Sequence, residues 1–146
     1  MTSPSKDKGD RAERAFLAHI APHWPNARRG KAGAEADLGD IFGVVDRDGD
    51  PWTIQVADRK WRNHGELLAK AREAAVQSER AGTGGVWCMV VKRPGCTDVG
   101  DWNVWLPVWC AFDTADGAMW ELNAVNDLCM VTVRTWLALY APRRRA

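Results

Sequence analysis

Three observations predict an α/β (α+β) fold, a mixed β-sheet flanked by helices. First, segments of helical and strand character follow in the order helix, strand, strand, helix, strand, strand, helix, and a hairpin leading through a helix to another strand implies a mixed sheet. Second, residues 86–91, Val-Trp-Cys-Met-Val-Val, are all apolar, as expected of a strand buried on both faces. Third, residues 64–81 are periodic as a helix, with Leu67, Leu68, Ala71, Ala74, Ala75 and Ser78 on one face. That face is small enough to pack closely on a sheet.

Each element has a local reason. Asp10 can cap a helix running to Ile20, which Pro22 and Pro25 stop. Its apolar stripe is Phe16, Leu17 and Ile20, and Glu13 lies on the same stripe. Residues 26–39 read as a flexible loop made basic by Arg28, Arg29 and Lys31. Residues 40–45 and 52–57 form two strands of a hairpin, turned by Asp46-Arg-Asp-Gly-Asp-Pro51. Asp46, Asp48 and Asp50 fit the first three positions of a calcium loop, but Pro51 and Ala57 stand where its glycine and last glutamate belong, so a solvated turn is expected. Gly82, Gly84 and Gly85 end the long helix. Residues 102–106 read as a further strand, 107–112 as a short helix, 129–133 as a strand and 135–140 as a closing helix.

The composition narrows the class of protein. The chain has 146 residues, 46% hydrophobic and 27% charged, one domain's worth of a globular composition that excludes a disordered chain. Residues 1–9 are expected to be a flexible leader and 10–146 a single domain, with 113–146 as a C-terminal extension. Twenty Lys and Arg against 19 Asp and Glu exclude a uniformly basic protein but not a local basic face. The four cysteines contain no C-x-x-C and all three histidines precede them, so no zinc spacing is written here. Scattered cysteines read as reduced thiols of a cytosol. No apolar run approaches the ~20 residues of a membrane span, and residues 1–11 lack the apolar region of a signal peptide. A soluble cytoplasmic protein is the expectation.

In residues 52–57 the apolar face is Trp52, Ile54 and Val56, which leaves Gln55 on the other face with Thr53 and Ala57. Asp40, at the start of the preceding strand, and this polar side chain of its partner can converge. Metal-dependent phosphodiester cleavage needs such a point, because a hard divalent cation takes oxygen ligands and activates its bound water. The stretches Lys8-Gly-Asp-Arg-Ala-Glu-Arg14, Gly39-Asp-Ile41, Ile54-Gln-Val-Ala57, Val91-Lys-Arg-Pro94 and Gly100-Asp-Trp102, in this order and spacing, resemble phage-encoded Holliday junction resolvases of the PD-(D/E)XK, restriction-endonuclease-like, nucleases. The likeness runs from about residue 8 to residue 112.

That resemblance implies a restriction-endonuclease-like mixed sheet and a magnesium- or manganese-dependent endonuclease that resolves four-way DNA junctions as a homodimer. Residue by residue, it makes Glu13 the first-helix glutamate, Asp40 the metal-binding aspartate and the Val56 backbone carbonyl a further ligand. Gln55 falls where the family has the glutamate of its E-x-K motif and Ala57 where it has the lysine. A neutral amide still offers an oxygen to the cation, and Lys60 is the expected substitute for the lysine. Asp58-Arg-Lys60 is itself a literal D-x-K, which makes Asp58, like Glu13, a further candidate ligand provided that Asp58 and Lys60 face the site. Arg28, Arg29, Lys31, Arg59, Arg62, Lys92 and Arg93 are expected on the DNA backbone. Trp102, Trp105, Trp109 and Trp120 are candidates for the dimer interface. Gln55 and Ala57 also motivate a rival, a junction-binding module without catalysis, and flaps, forks or plain duplex remain alternative substrates.

Overall fold

The protein is described by a computed structural model, covering residues 4–30, 40–61, 63–81, 86–107 and 128–143. It is an α+β fold, with a mixed six-stranded sheet and three α-helices among the described residues. Helix α1 (Pro4–Ile20) is followed by strands β1 (Arg28–Arg29), β2 (Ile41–Phe42) and β3 (Thr53–Ala57). Helix α2 (His64–Ala81) leads to β4 (Trp87–Val91) and β5 (Asn103–Pro107), then β6 (Leu128–Thr132) and helix α3 (Val133–Tyr140). The strands lie in sequence order across the sheet. Only β3 and β4, joined through α2, are parallel; the other pairs are antiparallel.

Two apolar layers hold the helices on opposite faces. On one, Ala12, Phe16 and Ile20 of α1 and Val133 and Trp136 of α3 pack with Ile54, Val56, Cys88, Val90, Val104 and Leu106 of the sheet. On the other, Leu67, Ala71 and Ala74 of α2 pack with Trp87, Met89 and Val91. The alternation along β4 therefore buries all five of its residues, as its unbroken apolar sequence requires. Trp136 is the hub of the first layer, with ring centroids 5.5 Å from Trp24, 5.7 Å from Trp52 and 6.2 Å from Phe16.

Several elements differ from the sequence reading. Helix α1 begins at Pro4 rather than Asp10: proline is tolerated in a first turn, and residues 6–10 continue the helix while remaining exposed or half-buried. Arg28 and Arg29 are an edge strand rather than loop, pairing with Phe42 and Ile41. The strand expected over 40–45 is cut to two residues because Gly43 turns the chain at φ +81° against the backbone of Asn26. Pairing resumes at the Val45–Pro51 bridge. The Asp46 turn is a closed structural unit. Its buried carboxylate accepts hydrogen bonds from the Asp48 and Asp50 amides and from Trp52 Nε1, all at 2.9 Å. The helix expected over 107–112, the glycines 82, 84 and 85, and Lys31, Arg62, Trp109 and Trp120 lie outside the described residues, as does most of the extension expected at 113–146.

Gly43 gives a measurable test of this frame. A Cβ there would stand 2.8 Å from the Asn26 carbonyl oxygen, and the positive φ strains any L side chain. Gly43→Ala is expected to destabilise the fold by about 1–3 kcal/mol, lowering the melting temperature by several degrees. Gly49, at φ +88° with nothing near its Cβ, carries the strain without the clash, so Gly49→Ala should lower it less.

Candidate functional site

The backbone of β3 organises the site. Thr53 N–H donates to Val86 O at 3.1 Å and Lys92 N–H to Ala57 O at 2.9 Å, so residues 53, 55 and 57 present their backbone groups to β4. By alternation Ile54 and Val56 present theirs to the β2 edge. There Ile54 O accepts from Asp40 N–H at 2.9 Å, and Asp40 Oδ2 accepts from Val56 N–H at 2.8 Å. The Asp40 carboxylate thus takes the place of a neighbouring strand's carbonyl, just before β2 begins. The Val56 carbonyl faces the same edge.

Glu13 reaches this end of the sheet from α1. Asp10 and Glu13, one helical turn apart, both meet Arg29 of β1: Arg29 Nε and Nη2 lie 2.8 and 2.7 Å from Glu13 Oε2, and Nη2 lies 2.9 Å from Asp10 Oδ1. The hydrogen bond that Arg29 donates to Glu13 does most to raise the guanidinium's pKa, against an opposing effect of burial. Arg29 is adjacent to Asp40 through the backbone, since Gly30 N–H donates to Asp40 O at 2.9 Å. An acid on the apolar stripe of α1 is therefore matched by a strand arginine. Arg29, expected on DNA, is committed to the two carboxylates, whereas Arg28 beside it is exposed.

Gln55 points the other way. Its side-chain amide donates to Gln77 Oε1 of α2, on the face of the sheet opposite α1. Gln77, which the sequence analysis did not single out, is buried. Its signal was its position three residues after Ala74 on the small-residue face. Lys60 instead lines a cleft with Asp58, Lys92 and, from α1, Lys8 and Arg11, so Gln55 and Lys60 are not brought together. Asp58 and Lys60 of the literal D-x-K both line this cleft, whose lining does not include Asp40. Asp58 is 3.8 Å from Lys92 Nζ. Arg59 is drawn to α2 by Glu66 and lies over the Trp61 ring, 4.6 Å from its centroid. Arg93 is exposed.

These placements decide which residues suit a divalent cation. Magnesium is commonly held by one or two carboxylates, completed by water and substrate phosphate. Asp40 and the Val56 carbonyl, on one edge, are donors of that kind. Gln55, on Gln77, and Glu13, on Arg29, are engaged elsewhere. Among the described residues no three His, Cys, Asp or Glu side chains are gathered to hold a metal. Of the tryptophans considered for an interface, Trp102 is buried and Trp105 is half-buried against the α2 layer. No helix of the described residues is long and apolar enough to cross a membrane. Neither a family model nor a curated protein nor a solved structure matches the chain.

Proposed function

We propose that the chain is a metal-dependent, structure-selective DNA endonuclease of restriction-endonuclease-like type, cutting four-way junctions as a homodimer in the cytoplasm. The observation that supports this best is the Asp40 carboxylate fixed on the Val56 amide, at the sheet edge the Val56 carbonyl also faces. Asp40 and that carbonyl would hold Mg²⁺ or Mn²⁺. When bound, the ion would stabilise charge on the phosphate and lower the pKa of its water. The Val56 N–H orients the Asp40 carboxylate. Arg29 keeps Glu13 and Asp10 neutralised beside it. Lys60 and Lys92 supply positive charge in a cleft lined by Asp58, two residues along the chain from Val56. A homodimer would present two such edges to a twofold junction.

A second reading, a junction-binding module without catalysis, is favoured by the Gln55–Gln77 bond and by the alanine at 57. The two readings separate in one assay. A labelled immobile four-way junction and a matched duplex are incubated with the protein in Mg²⁺ and in Mn²⁺, with Asp40→Ala alongside. Paired symmetric nicks in the junction alone, absent with Asp40→Ala, are expected. Tight junction binding with no cutting in either metal would overturn the endonuclease and leave the binding module.

A further inference from the structure

The cleft between α1 and the ends of β3 and β4 has a volume of about 590 Å³, within the range of small-molecule pockets. Lys8 and Arg11 stand on its helix wall, Lys60 and Lys92 on its sheet wall. Among the described residues no ion pair ties Lys8, Arg11 or Lys60; Arg11 Nε makes only a 3.4 Å contact with Asp7 O. Arg59, paired with Glu66, and Gly95 also line it, together with the apolar Ala15 and Pro94 and the buried Ala12 and Trp102. The single carboxylate that lines it, Asp58, faces Lys92.

Like charges gathered in one cleft repel, so this arrangement favours an anion between the walls. The lining alternates charge for phosphate with apolar surface for sugar and base, and the volume suits a nucleotide or two rather than a duplex. From this the geometry points to a binding site for single-stranded nucleic acid, in which Lys8 and Arg11 on one wall and Lys60 and Lys92 on the other contact successive phosphates of one strand. This rests on the DNA reading above and sharpens it: the preferred branched substrate carries an unpaired strand beside the branch point. Neither Lys8 nor Arg11 was among the residues expected on DNA from the sequence.

The test is fluorescence anisotropy, in EDTA, with labelled oligothymidylate, a blunt duplex and a fully paired four-way junction. The wild-type chain is compared with Lys8→Gln/Arg11→Gln and with Lys60→Gln. Lys8, Arg11 and Lys60 are exposed, so the variants should fold, which circular dichroism would verify. The protein is expected to bind oligothymidylate more tightly than the duplex. The double variant should lose at least tenfold in that affinity. Its salt dependence should be shallower by about 1.4, at about 0.7 for each lost contact to a single strand. Lys60→Gln should weaken the same ligand from the opposite wall. Oligothymidylate bound no more tightly than duplex, or bound equally by wild type and both variants, would overturn the site. Junction binding that persists in that case leaves the DNA reading standing. No binding to any of the three DNAs would remove both.

Discussion

Asp40→Asn is expected to slow single-turnover junction cleavage by about a thousandfold or more while leaving the fold intact. Loss of the charge at a metal ligand removes several kcal/mol of transition-state stabilisation, and each ~1.4 kcal/mol is tenfold in rate. The substitution is conservative for the sheet, because an asparagine carbonyl can still accept the Val56 N–H that Asp40 Oδ2 accepts at 2.8 Å. What it weakens is the charge-assisted character of that bond, worth about 1 kcal/mol of stability. Asp40→Ala removes the acceptor as well and should be measurably less stable. Cleavage retained by both variants would eliminate Asp40 as the ligand. A melting temperature that collapses in Asp40→Asn would mean that the carboxylate is chiefly a structural cap of β3.

The largest stability effect is expected at Trp136. The side chain is fully buried and packs tilted or edge-on among Phe16, Trp24, Trp52 and Tyr140. Trp136→Ala should cost about 3–5 kcal/mol, read as a fall in the urea midpoint with an unchanged slope. Trp136→Phe should cost distinctly less than the alanine change. It retains a ring, and it discards an indole N–H that is buried without a hydrogen-bond partner among the described residues. Leaving such a donor unpaired costs about 1–3 kcal/mol, which partly offsets the lost ring area. Equal destabilisation by phenylalanine and alanine would show that this donor is satisfied in solution.

The sheet and its helices were legible where burial imposes a pattern. Residues 64–81 are helical as expected, because one face meets Trp87 and Met89 of the sheet and must be small. The 86–91 run is a central strand because it is covered from both sides. Where geometry rather than burial decides, the pattern is silent. Nothing apolar marks Arg28–Arg29 as a strand; pairing with β2 makes it one. Nothing local shortens β2 except one glycine whose backbone fits against Asn26. For the site, the hairpin reading brought Asp40 towards the Gln55 side chain and the resemblance added the Val56 carbonyl; it is the Val56 amide that meets the Asp40 carboxylate. The sequence could not show that Gln55 is taken by Gln77 or Glu13 by Arg29, since those pairs span 22 and 16 residues and depend on how helices sit over the sheet.

The position of α3 bears on how the chain is made. Phe16, Trp24 and Trp52 share a core layer with Trp136. Arg47 in the hairpin turn donates to the carbonyls of Ala138 and Ala141, 91 and 94 residues further on. From Trp52 to Trp136 is 84 residues, roughly 4–17 s of translation at about 5–20 residues per second. For that interval the first helix and hairpin leave the ribosome with an uncovered aromatic face. A chain terminated before α3 would carry the same face permanently and would be prone to aggregation.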